Sequence, residues 1–450
     1  MIEPRKPFRR EGLGYVYEPT DGEGIPLGVS LRVDAIHGSG ERMMGELLIE
    51  TTLPGVNPHL LMTAQNLTGA TARNTLAKQL AAKTPGLSLP WDTLVEGFCV
   101  AVLRAEREGT PFLQIGHQDD KGTLPDVIDH IVQQGRTNDI HGPMGDGKGY
   151  LAAFMVVCHT TGNDLAHLRC HATGTVLYLD WEDDDSTLNR RLRAIAAGYG
   201  IPPVIIHYRM CHGALKDQVL QIARYVATHH ITFIVVDSVE LACGIGNDHG
   251  TYEERAHGLH DALRSISTSV PWPVSSLLID HVSDDVRTAK KGVGKAYGSS
   301  MKMAWVRNAW EVRKDQEPNS PIATIGLYRF KGNHAGNVGP IGIQLDFTKW
   351  PQALVAKRAE IRDSDVLSSR LTATSQLLSA LQSGPMDTKD LAVMTGLSRD
   401  AVRVALNRLK KRGHVVQGTD GRWGRRSLHQ PGQEEVPDLD DDDLEEGFFL

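Results

Sequence analysis

The chain has 450 residues, too many for one hydrophobic core, and predicts two or three domains. At 40% hydrophobic and 23% charged residues it has an ordinary globular composition, and no apolar run is long enough to span a membrane. No signal-peptide pattern follows Met1, and the five cysteines lack the C-x-x-C spacing of zinc sites. We therefore expect a cytoplasmic protein with reduced thiols and no membrane partner. The net charge of -7 is unevenly distributed along the chain.

Residues 1–115 carry no recognisable catalytic motif and are predicted to form an α+β accessory domain. Val29, Leu31 and Val33 alternate with polar residues, which indicates a half-buried strand, and residues 46–52 could pair with it. A helix is expected over residues 71–83. The apolar face of a second helix consists of Trp91, Leu94, Val95, Phe98 and Val102.

Residues 142–148 have the pattern G-x-x-x-x-G-K, which is the spacing of a phosphate-binding loop. The glycines let successive backbone N–H groups converge on anionic oxygens, and Lys148 can reach the outer phosphates. Apolar residues 151–157 continue as a helix, whose N-terminus also favours phosphate. The candidate nucleotide-binding residues are Gly142, Pro143, Met144, Gly145, Asp146, Gly147, Lys148, Gly149 and Tyr150.

Two positions of this loop are unusual. Gly149 stands where the consensus has Ser or Thr, whose hydroxyl ligates Mg²⁺. Asp146 places a carboxylate where phosphates would lie. The alternative interpretation is a Gly-rich turn that binds nothing, and the motifs that follow in the chain argue against it.

Between residues 116 and 350, short apolar runs alternate with helical stretches. This pattern predicts a mostly parallel sheet covered on both faces, and in such sheets ligands bind at the carboxyl ends of the strands. Strands are expected at 175–180, 203–208, 231–236, 274–279, 309–313, 322–329 and 341–346, and helices at 187–197, 215–228 and 252–265.

Three of these strands are followed by polar residues suited to nucleotide chemistry. Glu182 can orient and deprotonate a water for attack on a γ-phosphate, although the acidic cluster around it also resembles helix capping. Asp237 ends an apolar strand and is a candidate metal ligand, because such an Asp holds Mg²⁺ directly or through water. His281 is placed to contact a γ-phosphate, although a lone histidine is more often structural.

The four motifs G-P-M-G-D-G-K-G, V-L-Y-L-D-W-E-D, I-V-V-D-S and L-L-I-D-H together resemble the RecA-like P-loop ATPase core, over residues 138–346. Within that core they resemble RepA-type hexameric replicative helicases and related phage or plasmid AAA ATPases. The resemblance implies an ATPase that uses ATP and Mg²⁺, with DNA helicase activity among its roles. The resemblance also implies the roles of four residues: Lys148 binds phosphate, Glu182 activates water, Asp237 supports Mg²⁺, and His281 senses the γ-phosphate. Gly149 departs from the family pattern and puts direct hydroxyl ligation of Mg²⁺ in doubt.

RecA-like rings complete each site with a positive residue from the neighbouring subunit, which can raise the rate about 10³-fold or more. A residue of this kind implies a head-to-tail homo-oligomer such as a hexameric ring. The alternative is that the basic residues of the late strands are ordinary strand-end charges. The candidates are Arg307, Arg329 and Lys331.

By the same resemblance, the loops after the catalytic strands face single-stranded DNA. Flexible basic loops suit contacts to phosphates that do not depend on sequence, whereas a solvated loop is the alternative. The candidate DNA contacts in residues 283–298 are Lys290, Lys291 and Lys295.

Residues 351–372 are expected to be a linker, and residues 373–427 are predicted to form a winged helix-turn-helix. Its recognition helix, 398–412, has a buried stripe and an opposite polar face, and residues 414–423 form the wing. Nine Lys or Arg and two Asp lie between Arg399 and Arg426, which favours DNA contact over the alternative of a protein-docking winged helix. The stripe is Val402, Ala405, Leu406 and Leu409, and the candidate DNA-binding residues are Arg399, Arg403, Asn407 and Lys410.

Residues 428–450 are predicted to be a disordered acidic tail, because residues 434–446 contain nine acids and no basic residue. The tail could recruit a protein partner, compete with DNA for the winged helix, or only aid solubility. The whole pattern predicts a RecA-like motor acting on DNA, as a helicase, loader or remodeller in replication of a mobile or phage-like element. The alternatives are a winged-helix regulator with nucleotide as a slow switch, and a nucleotide-binding scaffold without a DNA role.

Overall fold

The computed structural model describes residues 7–40, 42–109, 112, 125–166, 168–244, 251–282, 304–332, 338–368, 371 and 373–426. The chain divides into two units, Met1–Ser369 and Arg370–Leu450. The five cysteines form no disulfide with one another. Within the described residues, no helix is long and apolar enough to cross a membrane.

The first part of unit 1 is a five-stranded antiparallel sheet covered by two helices. The predicted pairing is confirmed, since Val29 lies opposite Thr51. The predicted apolar face of the second helix is also buried. The elements are β1 (Phe8–Glu11), β2 (Gly14–Tyr17), β3 (Val29–Ser39), β4 (Arg42–Thr51), β5 (His59–Asn66), α1 (Ala70–Lys83) and α2 (Trp91–Glu108).

The second part of unit 1 is a nine-stranded sheet, preceded by a small hairpin of β6 (Asp126–Ile128) and β7 (Val132–Gln133). Its spatial order is β10-β9-β11-β12-β8-β13-β14-β15-β16; the pairings from β10 to β13 are parallel and the remaining three antiparallel. The strands are β8 (Thr137–Gly142), β9 (Thr175–Asp180), β10 (His207–Met210), β11 (Ile231–Asp237), β12 (Ser275–His281), β13 (Asn308–Asp315), β14 (Ile322–Gly332), β15 (Ile341–Asp346) and β16 (Val355–Ala359).

Both faces of this sheet are buried, which explains why its strands are continuous apolar runs. In β9, Val176 and Tyr178 belong to one apolar cluster, whereas Leu177 and Leu179 belong to the other, because successive side chains point to opposite faces. The connections carry α3 (Lys148–Thr161), α4 (Asp185–Gly198), a 3₁₀ turn (Leu215–Gln218), α5 (Val219–His229), α6 (Val239–Ala242) and α7 (Tyr252–Thr268), and α8 (Asp365–Ser368) follows the sheet.

Two sequence predictions differ from the structure in this unit. The strand expected at 203–208 begins only at His207, because Pro202 and Pro203 have no N–H to donate to a ladder. Residues 355–359, assigned to the linker 351–372, instead form the edge strand β16 opposite β15. An exposed edge strand can carry many charged residues, so it lacks the apolar pattern by which strands are predicted. The mixed charge of this segment therefore indicated a linker.

Unit 2 has the predicted winged-helix elements: α9 (Ala373–Ala380), α10 (Thr388–Thr395), α11 (Arg399–Lys411), β17 (Val415–Gln417) and β18 (Trp423–Arg425). Asp387 and Ser398 cap α10 and α11 through their side chains, and Gly396 ends α10 with φ 66°. The predicted stripe of α11 is buried against a core that includes Leu377, Leu381 and Trp423.

Candidate nucleotide site and nucleic-acid helix

The Gly-rich loop joins β8 to α3 at the carboxyl end of the parallel strands, where the sequence places it. Gly142 is required by close packing, since an added Cβ would lie 2.3 Å from the Val312 carbonyl oxygen. Gly145 and Gly147 have φ of 80° and 85°, which side chains rarely adopt. Met144 is 78% exposed. The loop therefore turns tightly onto the N-terminus of α3, a geometry that suits an anionic oxygen.

Lys148 begins α3 and is almost completely buried. Its ammonium donates to the carbonyl oxygens of Gly142 and Pro143, each at 2.8 Å, and lies 3.4 Å from Nδ1 of His281. Burial lowers the pKa of Lys148, against the attraction of the surrounding carboxylates. The ammonium is thus held at the loop by carbonyl oxygens and carboxylates, beside N–H groups that converge on the position of an anion.

His281 joins Lys148 to Glu182. Its Nε2 lies 3.0 Å from Oε1 of Glu182, so a proton on Nε2 lets the ring donate to the carboxylate while Nδ1 accepts from Lys148. The hydrogen bond from His281 holds the pKa of Glu182 below its ordinary value. The backbone N–H of Glu182 donates to Asp180, which fixes the turn after β9. The two residues were predicted separately from strand ends, and the structure brings them together.

Asp237 ends β11 and accepts a hydrogen bond from the Tyr178 hydroxyl at 2.6 Å. Burial raises the pKa of the Asp237 carboxyl to about 6. The Asp237 carboxylate attracts the ammonium of Lys148 and repels the carboxylate of Glu182. Mg²⁺ prefers oxygen ligands, and the carboxylates of Asp237 and Asp180 lie opposite each other at the ends of the paired strands β11 and β9, so the residues present fit that ion. Gly149 contributes no hydroxyl to such a set.

Asp146 and Tyr150, also predicted to contact nucleotide, have further contacts with late elements of the sheet. Asp146 hydrogen-bonds to the backbone of Lys314, and burial raises its pKa. The Tyr150 ring packs edge-on against Phe347 and Trp350, with centroids 5.1 and 5.5 Å away, and is only partly buried. The carboxylate of Asp146 is thus held against β13, where it still attracts the Lys148 ammonium, and the Tyr150 ring is held by its aromatic neighbours.

Arg307, Arg329 and Lys331 are not brought to Lys148. Arg307 donates its backbone N–H to Thr137 at the amino end of β8, opposite the end that carries the loop. Lys331 donates to the Ala304 carbonyl, and Arg329 lies over the Trp310 ring. Within one subunit these side chains belong to another part of the sheet, so a role at a neighbour's site stays a prediction.

The predicted DNA contacts fall into two groups. Lys290, Lys291 and Lys295 lie outside the described residues, as does the acidic tail. The candidate residues of α11 form an exposed face opposite the buried stripe, and Lys410 lies 5.8 Å from the centre of the Trp423 ring. The exposed candidates are Arg399, Arg403, Asn407 and Lys410.

Three site residues were not predicted from the sequence. Tyr178 and Asp180 lie two residues apart in β9, on one face and close to the strand end, so their spacing was an available signal. Arg191 comes from the second turn of α4 and reaches Gly149 and Tyr150 of α3. Nothing in the sequence around Arg191 indicates this position, because it depends on how α4 packs beside α3.

Residues 105–286 match a family model described as an AAA domain, and residues 371–426 match one described as the MarR family. No curated protein matches the chain. The first match covers the loop, Glu182, Asp237 and His281, and the second covers the whole winged helix. The chain therefore contains a P-loop AAA domain, which supports ATPase activity and nucleotide binding in general, and a MarR-type winged-helix domain, which suggests DNA binding.

Proposed function

We propose that this protein binds and hydrolyses ATP as a RecA-like motor on DNA, of the kind found in RepA-type helicases, helicase loaders or remodellers of mobile and phage-like genomes. One observation carries the proposal: Lys148, His281 and Glu182 form a continuous chain of contacts beside Asp237, at the carboxyl ends of adjacent parallel strands. A phosphate loop, a carboxylate base and a metal-binding Asp are the parts that phosphoryl transfer to water requires.

Each residue has a role that follows from its position. Lys148 and the loop N–H groups hold the phosphates. Glu182, kept ionised by His281, accepts a proton from the attacking water. Asp237 would hold Mg²⁺, which neutralises charge on the phosphates when bound. His281 contacts both Lys148 and Glu182, so it can report the state of the phosphate to the base.

The proposed assembly is a head-to-tail homo-oligomer such as a hexameric ring, with Arg307, Arg329 or Lys331 completing the neighbour's site. Arg307 lies at the amino end of β8, away from the subunit's own loop, so a role at a nucleotide site would have to be in trans. Single-stranded DNA would contact the basic loops after the catalytic strands, and the exposed basic face of α11 would contact duplex. The acidic tail would bind a protein partner or compete with DNA.

The test is ATP hydrolysis by the purified protein with and without single-stranded DNA, at two salt concentrations. We expect stimulation by DNA that fades at high salt, because phosphate contacts release counterions. Lys148→Ala should abolish nucleotide binding, whereas Lys357→Ala, an exposed lysine on the edge strand β16, is the matched control and should not. Tight ATP binding by Lys148→Ala would refute the site.

A second candidate function is a winged-helix regulator in which nucleotide is a slow switch. Gly149 favours it, because the missing hydroxyl weakens Mg²⁺ ligation and with it the expected turnover. Nucleotide binding without DNA-stimulated turnover, together with nucleotide-dependent binding of duplex DNA, would support the switch over the motor.

A further inference from the structure

The space beside Gly149 is filled by an arginine. A Cβ added to Gly149 would lie 2.8 Å from Nη1 of Arg191 and 3.5 Å from its Cζ, and Cβ atoms are not found as close as the first of these distances. The guanidinium therefore occupies the side-chain position where a phosphate loop ordinarily has a hydroxymethyl group. A Ser or Thr at position 149 could be accommodated only if Arg191 moved.

Arg191 is held at this place by several weak contacts. Its guanidinium carbon lies 5.1 Å from the centre of the Tyr150 ring, and Nη2 is 3.9 Å from a carboxylate oxygen of Asp183. Nε is buried, and among the described residues no group accepts a hydrogen bond from it. The positive charge is close enough to Asp237 to attract its carboxylate. A guanidinium with an unsatisfied buried donor, beside a phosphate loop, is suited to bind an anion.

We propose that Arg191 is a phosphate-binding residue of the nucleotide site, which replaces the metal-ligating hydroxyl missing at Gly149 and makes nucleotide binding depend less on Mg²⁺. The inference rests on the proposed nucleotide site and deepens it. Planar guanidinium groups bind phosphate through two parallel hydrogen bonds, whereas a hydroxyl acts on phosphate mainly through the metal.

The experiment measures the affinity of a fluorescent ATP analogue for the full chain by titration, once with Mg²⁺ and once with excess EDTA. We expect the wild type to keep most of its affinity in EDTA. Arg191→Ala should lose about tenfold to hundredfold, and more in EDTA than with Mg²⁺, because a charge-assisted hydrogen bond is removed. Arg190→Ala is the matched control, since this neighbouring arginine is exposed, and it should bind as the wild type does.

A second pair of variants tests whether the Arg191 guanidinium takes the place of a hydroxyl at position 149. Gly149→Ser should displace the guanidinium and weaken binding in EDTA, whereas Gly149→Ser with Arg191→Ala should restore binding that depends strictly on Mg²⁺. Arg191→Lys keeps the charge without the planar fork and should lie between wild type and Arg191→Ala. Thermal melts that match the wild type would show that the variants are folded.

The outcomes separate this inference from the proposed function. If neither the wild type nor the arginine variants bind nucleotide in either buffer, both fail. If the wild type binds nucleotide and Lys148→Ala does not, the site stands, and equal affinities for Arg191→Ala and Arg190→Ala in EDTA would then overturn the role of Arg191 alone.

Discussion

Replacing Asp237 with Asn should stabilise the protein while it removes a proposed metal ligand. Burial raises the pKa of this carboxyl to about 6 from an ordinary 3.8. Ionisation of Asp237 in the folded protein therefore costs up to about 3 kcal/mol of unfolding free energy at pH 8, since one pKa unit corresponds to about 1.4 kcal/mol. This is an upper limit, because the residue remains partly exposed. Asn keeps an oxygen that can accept from Tyr178, so the hydrogen bond need not be lost.

The sign of the pH dependence follows from the raised pKa. Between about pH 4 and pH 6 the unfolded chain gives up its Asp237 proton while the folded chain retains it, so the wild type loses stability as pH rises through this window. Asn does not titrate. The gain in unfolding free energy of Asp237→Asn over the wild type should therefore reach roughly half of its full value at pH 5 and its full value at pH 8. Asp237 lies in the 369-residue unit 1, so this difference of about 1.4 kcal/mol raises the melting temperature by roughly 2 °C more at pH 8 than at pH 5.

The assay is thermal unfolding of wild type and Asp237→Asn at pH 5 and pH 8, without nucleotide or divalent ions. Asp346→Asn is the control at another strand end, where the hydrogen bond from Thr348 holds the pKa of the carboxyl below its ordinary value, so this substitution should not stabilise at pH 8. An Asp237→Asn melting temperature that is lower than the wild type's by the same amount at both pH values would refute the reasoning.

Three further substitutions or deletions have clear expected outcomes. Glu182→Gln should bind ATP but hydrolyse it about 10²–10⁴-fold more slowly, measured by phosphate release, and an unchanged rate would remove Glu182 as the base. Leu406→Ala should destabilise unit 2 by about 2–5 kcal/mol in urea unfolding, because the side chain is 1% exposed, whereas Val404→Ala, at 51% exposed, should change little. Deleting residues 428–450 should tighten DNA binding in a fluorescence-anisotropy titration if the tail competes with DNA for the winged helix. Unchanged affinity would favour the alternative that the tail recruits a protein partner.

The fold could be predicted where the strands are apolar and both their faces are buried. The bounds predicted for β9 and β15 match the structure. In both, the start of the apolar run marks where the strand begins and an Asp marks where it ends. The prediction was wrong at β10, where two prolines delay the strand, and at β16, where a charged segment adds an edge. Edge strands have one unpaired side and need little apolar content, so their sequences resemble connectors.

The candidate site was predictable to the extent that it depends on strand ends. Because the carboxyl ends of parallel strands meet at one edge, Glu182, Asp237 and His281 could be placed near the loop without coordinates. Which of them touch each other could not be predicted, since the contacts depend on side-chain directions beyond the strands. The same limit applies to Arg191, whose position is set by the packing of two helices that are separated by a strand in the chain.

The contacts of Lys148 also connect the proposed phosphate site to Glu182, the proposed catalytic base. An ammonium has three donors, and those of Lys148 face two carbonyl oxygens at 2.8 Å and the His281 ring at 3.4 Å. A phosphate oxygen that approaches Lys148 competes with these partners, and the longest contact is the weakest of the three. The His281 contact is therefore the first to be lost, and among the described residues Glu182 then holds the ring. In the proposed mechanism, phosphate occupancy would in this way be transmitted through the His281 side chain to Glu182, the proposed base.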